Sequence, residues 1–319
     1  MKGLRKDSAT WLDADEASAG QRIDNMLCRV LKGVPRQHIY RLLRTGQVRV
    51  NSGRVEATYR VQANDRIRIP PVRTARREQP PSGLRSERLE SQILFEDDVL
   101  LVIDKPAGMA VHGGSGVSRG VIEEMRHSRP RLRFLELVHR LDRDTSGVLL
   151  LAKKRSALVA LHAAMRDGAV TKCYTLLVLG RAPLRRQELA APLEKYLLPG
   201  GDRRVKVAAG GQSSRTIFEG IRHIGAYTLL QAELLTGRTH QIRVHSAHLG
   251  HPIAGDDKYG DFAANRVLAK QGLKRMFLHA SRVRVTHPTT AQPIELAAPL
   301  PDDLVRFLAG LEADADRRS

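Results

Sequence analysis

Five ionisable side chains crowd the stretch His139-Arg140-Leu141-Asp142-Arg143-Asp144, which runs directly into the apolar segment from Gly147 to Ala152. Charge placed so close to a core needs a reason, because an unpaired buried charge is expensive. Asp142 and Asp144 could be turn-forming carboxylates answered by Arg140 and Arg143. Alternatively, a carboxylate kept ionised beside a guanidinium at the mouth of a sheet is a nucleophile or a base. The local sequence leaves both readings open.

A second stretch, Thr236-Gly237-Arg238-Thr239-His240-Gln241-Ile242-Arg243, lies about a hundred residues downstream. Thr239 is expected to cap a helix that Gly250 ends, with Ile242 and Leu249 on one face and Arg243 just beside it. From there an arginine could reach a carboxylate on another element. His245, His248 and His251 lack the cysteine or acid partners of a zinc site, so no metal is expected. The loop His112-Gly113-Gly114-Ser115-Gly116 is followed by no Gly-Lys-Ser/Thr and is read as a turn or a close backbone approach, not a nucleotide cradle. Tyr174 shares a strand face with Lys172, Leu176 and Val178, where a core tyrosine is the default and only a site partner would promote it.

The elements that must position these groups are mostly strands. Val99 to Ile103, Gly147 to Ala152, Lys172 to Leu179, Arg215 to Ile224 and Tyr227 to Leu235 are short apolar or alternating runs, two of them joined by Gly225-Ala226. A helix capped by Ser156 is expected through Met165, stopped by Gly168. Strands that follow one another without helices between them predict an α+β domain on a mixed, largely antiparallel sheet with flanking helices.

Ahead of that domain the pattern changes. Residues 1–19 show no apolar period and read as a loose arm. Ile23, Met26, Leu27, Val30 and Leu31 form one helical stripe ended by Gly33, and Pro35 opens a second helix carrying Ile39, Leu42 and Leu43 up to Gly46. On its polar face Arg36, Tyr40 and Arg44 recur every four residues with Arg41 beside them, a spacing suited to phosphate contact. Asn51-Ser52-Gly53 is a hairpin turn leading to a second extended piece ending at Ile69. Eleven basic residues against three acidic ones lie between Gly20 and Pro70, so the charge concentrates here.

The whole chain carries 53 Lys and Arg against 34 Asp and Glu, a net +19 that favours a polyanionic partner. With 42% hydrophobic residues it has material for real cores, and no apolar run approaches the roughly 20 residues of a membrane span. The polar start is unlike a secretion signal, so a cytoplasmic protein with no membrane partner is expected. Cys28 and Cys173 are too few and too far apart for a disulfide framework. No dimer stripe is visible, and a monomer is expected. The organisation read from the sequence is an arm (1–19), a basic module (20–70), a Pro-rich linker (71–91), a large domain (92–306) and a tail (307–319).

The module's RxD at a helix start, its Arg-x-Gly-x-Val after the second helix, its Val-Asn turn and its closing Asp-x-Ile-x-Ile resemble the RNA-binding module of the ribosomal protein S4 family. Downstream, ILFEDDVLLVIDKPAGMAVHGGSG, FLELVHRLDRDTSGVLLLAK, KCYTLLVLG and LLTGRTHQIRVHSAHLGHPIAGDDKYG follow in the order found in the ribosomal large-subunit pseudouridine synthases. The chain is similar to that family from about Gly20 to Asp303, and nearest to its type C members.

The resemblance implies isomerisation of uridines in 23S ribosomal RNA to pseudouridine, with base flipping and no cofactor. It places the essential aspartate at Asp142, its arginine partner at Arg243, the motif tyrosine at Tyr174 and a base-displacing arginine at Arg140. Two rival readings stay open at this level. One is a non-catalytic binder of ribosome precursors. The other is glycosidase-like hydrolysis, for which Asp142 and Asp144 on an extended segment would stand about 6–7 Å apart on one face.

Overall fold

A computed structural model describes the chain outside residues 1–7, 17, 32, 33, 35, 73–86, 88, 114–118, 199–201 and 318–319, and describes no side chain at 36 or 37. The expected stop at Gly33, the opening at Pro35, most of the linker and Gly114 to Gly116 lie outside the described residues. The chain divides into two compact units, Met1–Ser82 and Gly83–Ser319.

In the first unit, α1 (Ile23–Val30) buries Ile23, Met26 and Leu27, and α2 (Arg36–Arg44) buries Ile39, Leu42 and Leu43. Gly46 leaves α2 at φ +68°, donating to the Leu43 carbonyl, which is why a glycine ends that helix. Asn51 and Ser52 also take positive φ, and Val50 bridges Gly53 to close the expected turn.

Three antiparallel strands complete the unit: β1 (Thr10–Asp13), β2 (Arg49–Val50) and β3 (Arg66–Ile69), ordered β1-β3-β2. The arm read as loose is therefore a strand over Thr10–Asp13, Thr10 pairing with Ile69 and Asp13 with Arg66. Four residues are too few to show an alternating period, and pairing with a strand over fifty residues away is what orders them. Trp11 stays outside with the Arg66 guanidinium 5.0 Å above its ring.

The second unit is built on a sheet of ten strands. In chain order they are β4 (Ile93–Glu96), β5 (Leu100–Lys105), β6 (Glu136–Leu137), β7 (Ser146–Ala152), β8 (Thr171–Leu179), β9 (Gln187–Ala190), β12 (Arg215–Ile224), β13 (Tyr227–Leu234), β14 (Leu278–Thr286) and β15 (Pro293–Ala297). The hairpin of β10 (Leu193–Leu197) and β11 (Arg203–Val207) stands apart as its own two-stranded sheet. The spatial order is β4-β5-β7-β14-β8-β13-β12-β9, with β6 on β7 and β15 on β14, and of these pairings only β7 with β14 is parallel. The expected α+β class on a mixed, largely antiparallel sheet is what the chain adopts.

Helices α3 (Val121–Ser128), α4 (Arg155–Arg166), α5 (Gln241–His248), α6 (Phe262–Lys270) and α7 (Asp302–Asp316) flank it. Lys154, not Ser156, occupies the cap position of α4. Residues read as a C-terminal tail belong to α7, whose Leu304, Phe307, Leu308 and Leu311 close a core with Leu268, Leu273 and Phe277. At the other end Leu89, placed in the linker by its neighbours' composition, is buried in the main core, and Glu90 pairs with Arg129 at 2.6 Å. Single apolar residues beside charged stretches carry no local signal of which side they pack on.

Strand β7 is buried throughout, and the segment 138–145 emerges as the loop joining β6 to β7. At its foot Gly147 takes φ +109°, and a Cβ there would lie 2.2 Å from the Ala280 carbonyl oxygen of β14. That close approach is what glycine permits at the parallel junction.

Candidate active site

Asp142 sits on the β6–β7 loop with its side chain 27% exposed, at the wall of a cavity of about 750 Å³. Arg243 comes from the first turn of α5 and is 4% exposed. Its Nη1 donates to Asp142 Oδ2 at 3.3 Å, joining two stretches 101 residues apart. The ion pair between the two motifs is thus formed, but it is the weaker of Arg243's contacts. Nε and Nη2 grip Asp256 in a bidentate pair at 2.7 and 2.6 Å, and Nη2 also reaches Asp257 at 3.2 Å. Burial works against the charged guanidinium, yet Asp256 and Asp142 outweigh it and hold Arg243 above its ordinary value. Burial likewise opposes the Asp256 carboxylate, and Arg243 with the Lys258 and Tyr259 amides brings it below its ordinary value.

In the sequence Asp256 is only one acid of Gly255-Asp256-Asp257, with no local sign of a role. Nothing local distinguishes it from Asp257, which is 62% exposed. The start of α5 also differs from the expectation. His240, not Thr239, is the capping residue, at φ +55°, and the Gln241 side chain turns back to accept from Arg238 N and the Thr236 hydroxyl. A β-branched threonine fits the left-handed region poorly, whereas the glutamine satisfies the turn by itself. His240 Nδ1 lies 2.7 Å from the Tyr259 hydroxyl and its Nε2 3.9 Å from Asp142 Oδ1.

Tyr174, on β8, packs into the main core with Leu176 and Val178 and lines the same cavity as Asp142. Burial first, and the Asp142 charge second, push its hydroxyl well above the usual range, so it stays a phenol. Arg140 is exposed on the cavity's edge. Arg166 and Arg238 are exposed there too, and Asp142 is the one carboxylate among the lining residues.

Asp144 does not join this site. It pairs with Arg143 at 3.1 Å and lines a different cavity, so the two carboxylates do not flank one substrate bond. The expected shared face required an extended loop, but the Thr145 amide folds back onto the Asp142 carbonyl and separates them.

The loop is clamped from below by Lys105, fully buried at the end of β5, whose Nζ donates to the carbonyls of Pro106, Met109 and Arg143 at 2.8, 2.8 and 3.1 Å. Burial pushes it down to about 7, while three carbonyls match the three N–H bonds of an ammonium. A lone lysine ending an apolar strand was the available signal. Of the three clustered histidines, His245 is held by Thr216, Ser214 and Ala191, and His251 by the Leu179 carbonyl.

Two other histidines brace the loop. His279 Nε2 faces the Ala298 carbonyl at 3.1 Å, so it carries the proton, and Nδ1 accepts from Ser146 Oγ at 2.9 Å. His139 Nε2 accepts from the Leu150 amide at 3.2 Å. Burial pushes both down to about 4. The unfolded chain therefore binds more protons between pH 4 and about 6.5, and stability contributed by these rings falls as pH drops through that window. Thermal melts of the full chain should show a falling midpoint from pH 6.5 to 4, and His279→Gln should flatten it. A midpoint insensitive to pH in the intact chain would contradict this.

In the first unit Tyr40 donates from its hydroxyl to Asp24 Oδ2 at 2.9 Å, and Arg41 Nη2 lies 3.0 Å from His38 Nδ1. Tyr40, Arg41 and Arg44 line an open cavity of about 780 Å³ with Arg54. The Arg36 side chain lies outside the described residues.

Residues 99–248 match the RNA pseudouridylate synthase family, and residues 21–67 match the S4 domain. The human RNA Pseudouridylate Synthase Domain Containing 4 has a similar fold, with a TM-score of 0.59 at 24% identity, over 72% of this chain and 96% of that one. The Ribosomal large subunit pseudouridine synthase C of Pasteurella multocida (strain Pm70) is 51% identical over 303 residues, 94% of this chain and 93% of its own length. Its namesake in Escherichia coli (strain K12) is 50% identical over 305 residues, 94% and 95% of the two chains. An α+β sheet with an aspartate loop at a basic cavity, preceded by an S4 domain, thus belongs to the RNA pseudouridine synthases, which are isomerases. Within them, the likeness to the enzymes called type C runs over nearly the full length.

Proposed function

We propose that this protein isomerises uridines of large-subunit (23S) ribosomal RNA to pseudouridine, using Asp142 as the reacting carboxylate. The observation that carries the reading is the Asp142–Arg243 contact of 3.3 Å at the wall of an open cavity lined by one acid and several cations. The names of the relatives and the basic S4 domain support the substrate class.

The reaction breaks the C1′–N1 bond, turns the uracil and joins C5 to C1′. It changes no oxidation state and gains no atoms, so its balance asks for no cofactor. Asp142 acts at the sugar, by attack on C1′ or by removing the 2′ proton to give a glycal; either begins from a carboxylate aimed by Arg243. Strand β7, fully buried from Val148 to Leu151, anchors the end of the loop that carries Asp142. The target must leave the RNA stack, and Arg140 at the rim fills the place it vacates. Tyr174, kept a phenol by burial and by the Asp142 charge, packs against the uracil. Arg36, Tyr40, Arg41 and Arg44 contact RNA backbone, chiefly by shape and charge. The protein works as a monomer in the cytoplasm, and no helix among the described residues is long and apolar enough to cross a membrane.

Mapping of pseudouridines in 23S rRNA from cells with and without this chain tests the proposal. Sites that vanish on deletion and return with the intact gene are the expected result. An unchanged map would leave only the reading of a non-catalytic assembly binder.

A further inference from the structure

We propose that the Lys172 ammonium is a catalytic group of this site, holding the uracil as an anion after its bond to ribose has broken. The inference rests on the reading of Asp142 given above. Lys172 lies two residues before Tyr174 on the same face of β8 and lines the same cavity. Its Nζ lies against Gly237, where a Cβ would come within 3.8 Å of it.

Three other lysines of this unit are held by fixed partners, while Lys154, Lys195, Lys270 and Lys274 stand exposed to water. Lys105 is held by three carbonyls, Lys153 by Glu96 at 2.7 Å and Lys258 by Asp202 at 2.7 Å. Among the described residues no hydrogen bond or ion pair holds the Lys172 ammonium, although it is half-buried. The cavity's one carboxylate, Asp142, is already engaged by Arg243. Burial accordingly pulls Lys172 below its ordinary value. A partly desolvated ammonium without a partner is costly, and an anion that arrives with the substrate relieves the cost.

Position decides which anion. Arg140, Arg166 and Arg238 are exposed around the opening and suit RNA phosphates. Lys172 is set deeper, beside the buried Tyr174, where a flipped base comes to rest. When C1′–N1 breaks, its electron pair stays with the uracil, spreading charge onto N1 and the two carbonyl oxygens, while C1′ bonds to an Asp142 oxygen. Lys172 donates a hydrogen bond to a carbonyl oxygen and transfers no proton. The ring turns, C5 bonds to C1′ with release of Asp142, and the C5 proton is then lost to water while N1 gains one from water, so the step closes as an isomerisation.

The test uses the full chain in single turnover on an RNA fragment carrying uridine or 5-fluorouridine at the target, reading loss of the C1′–N1 linkage. Fluorine stabilises the departing anion and lessens the need for a cation. Lys172→Met should slow the uridine substrate about 100- to 1,000-fold, the usual loss for a donor to a developing anion. It should slow the fluorinated substrate far less and leave the RNA Kd nearly unchanged, and Lys172→Arg should recover much of the rate. Equal losses on both substrates, or a loss confined to RNA affinity, would overturn the proposal. Turnover by Asp142→Asn run alongside would overturn the reading beneath it instead.

Discussion

Asp142→Asn is expected to abolish pseudouridine formation while RNA binding stays within about two- to three-fold of the parent. The side chain is nearly isosteric, is partly exposed and makes one hydrogen bond, to Arg243, whose main anchor is Asp256. Losing the charge therefore leaves the α5 geometry standing. An amide oxygen can still accept from Arg243, but it neither attacks C1′ nor removes a ribose proton. Gel-shift affinity and a tritium-release or mass-spectrometric assay on the same preparation measure the two halves. Substantial residual turnover would remove Asp142 from the chemistry, and with it the proposed mechanism.

Arg243→Met should abolish turnover as well, for two reasons that a second substitution separates. Asp256 is fully buried and Arg243 is its only charged partner at bonding distance among the described residues. Removing the cation strands a buried carboxylate, at a cost of about 3–5 kcal/mol, enough to threaten folding. Asp256→Asn added to Arg243→Met should restore most of that stability, because an asparagine oxygen can still accept from the Lys258 and Tyr259 amides. The doubly substituted chain should melt near the parent temperature and remain inactive, since nothing then aims Asp142 at the sugar. Recovery of activity together with stability would show that Arg243 serves the fold alone.

Arg243 thus has two duties, and the heavier by geometry is structural. The contacts at 2.6 and 2.7 Å to Asp256 fix the guanidinium, and the remaining Nη1 meets Asp142 as a pre-aimed donor. Tyr259 adds its ring 5.2 Å from the Arg243 guanidinium carbon while accepting from the Val205 amide of β11, so the separate hairpin helps to hold Arg243. Lys105 performs the corresponding service for the other partner, binding the Arg143 carbonyl one residue past Asp142. Each half of the ion pair is held by its own buried charge, which limits the drift of a contact that by itself is only 3.3 Å long.

The sequence by itself determined the class of sheet, the helical module ahead of it, and the placing of Asp142, Arg243 and Tyr174 in motifs whose order marked the family. Those features are local: apolar periods, glycine stops such as Gly46 and Gly168, and short motifs whose residue types are chemically demanding. Tertiary structure alone decided which acid Arg243 grips most tightly, because Asp142, Asp144, Asp256 and Asp257 are equal candidates until the chain brings one to 2.6 Å and turns another into a different cavity. It also made a strand of Thr10–Asp13, drew Leu89 into a core and set α7 against Phe277. Burial and ion pairing depend on which residues distant in sequence come to share a small volume, and a one-dimensional pattern carries the tendency to be buried but not the identity of the partner.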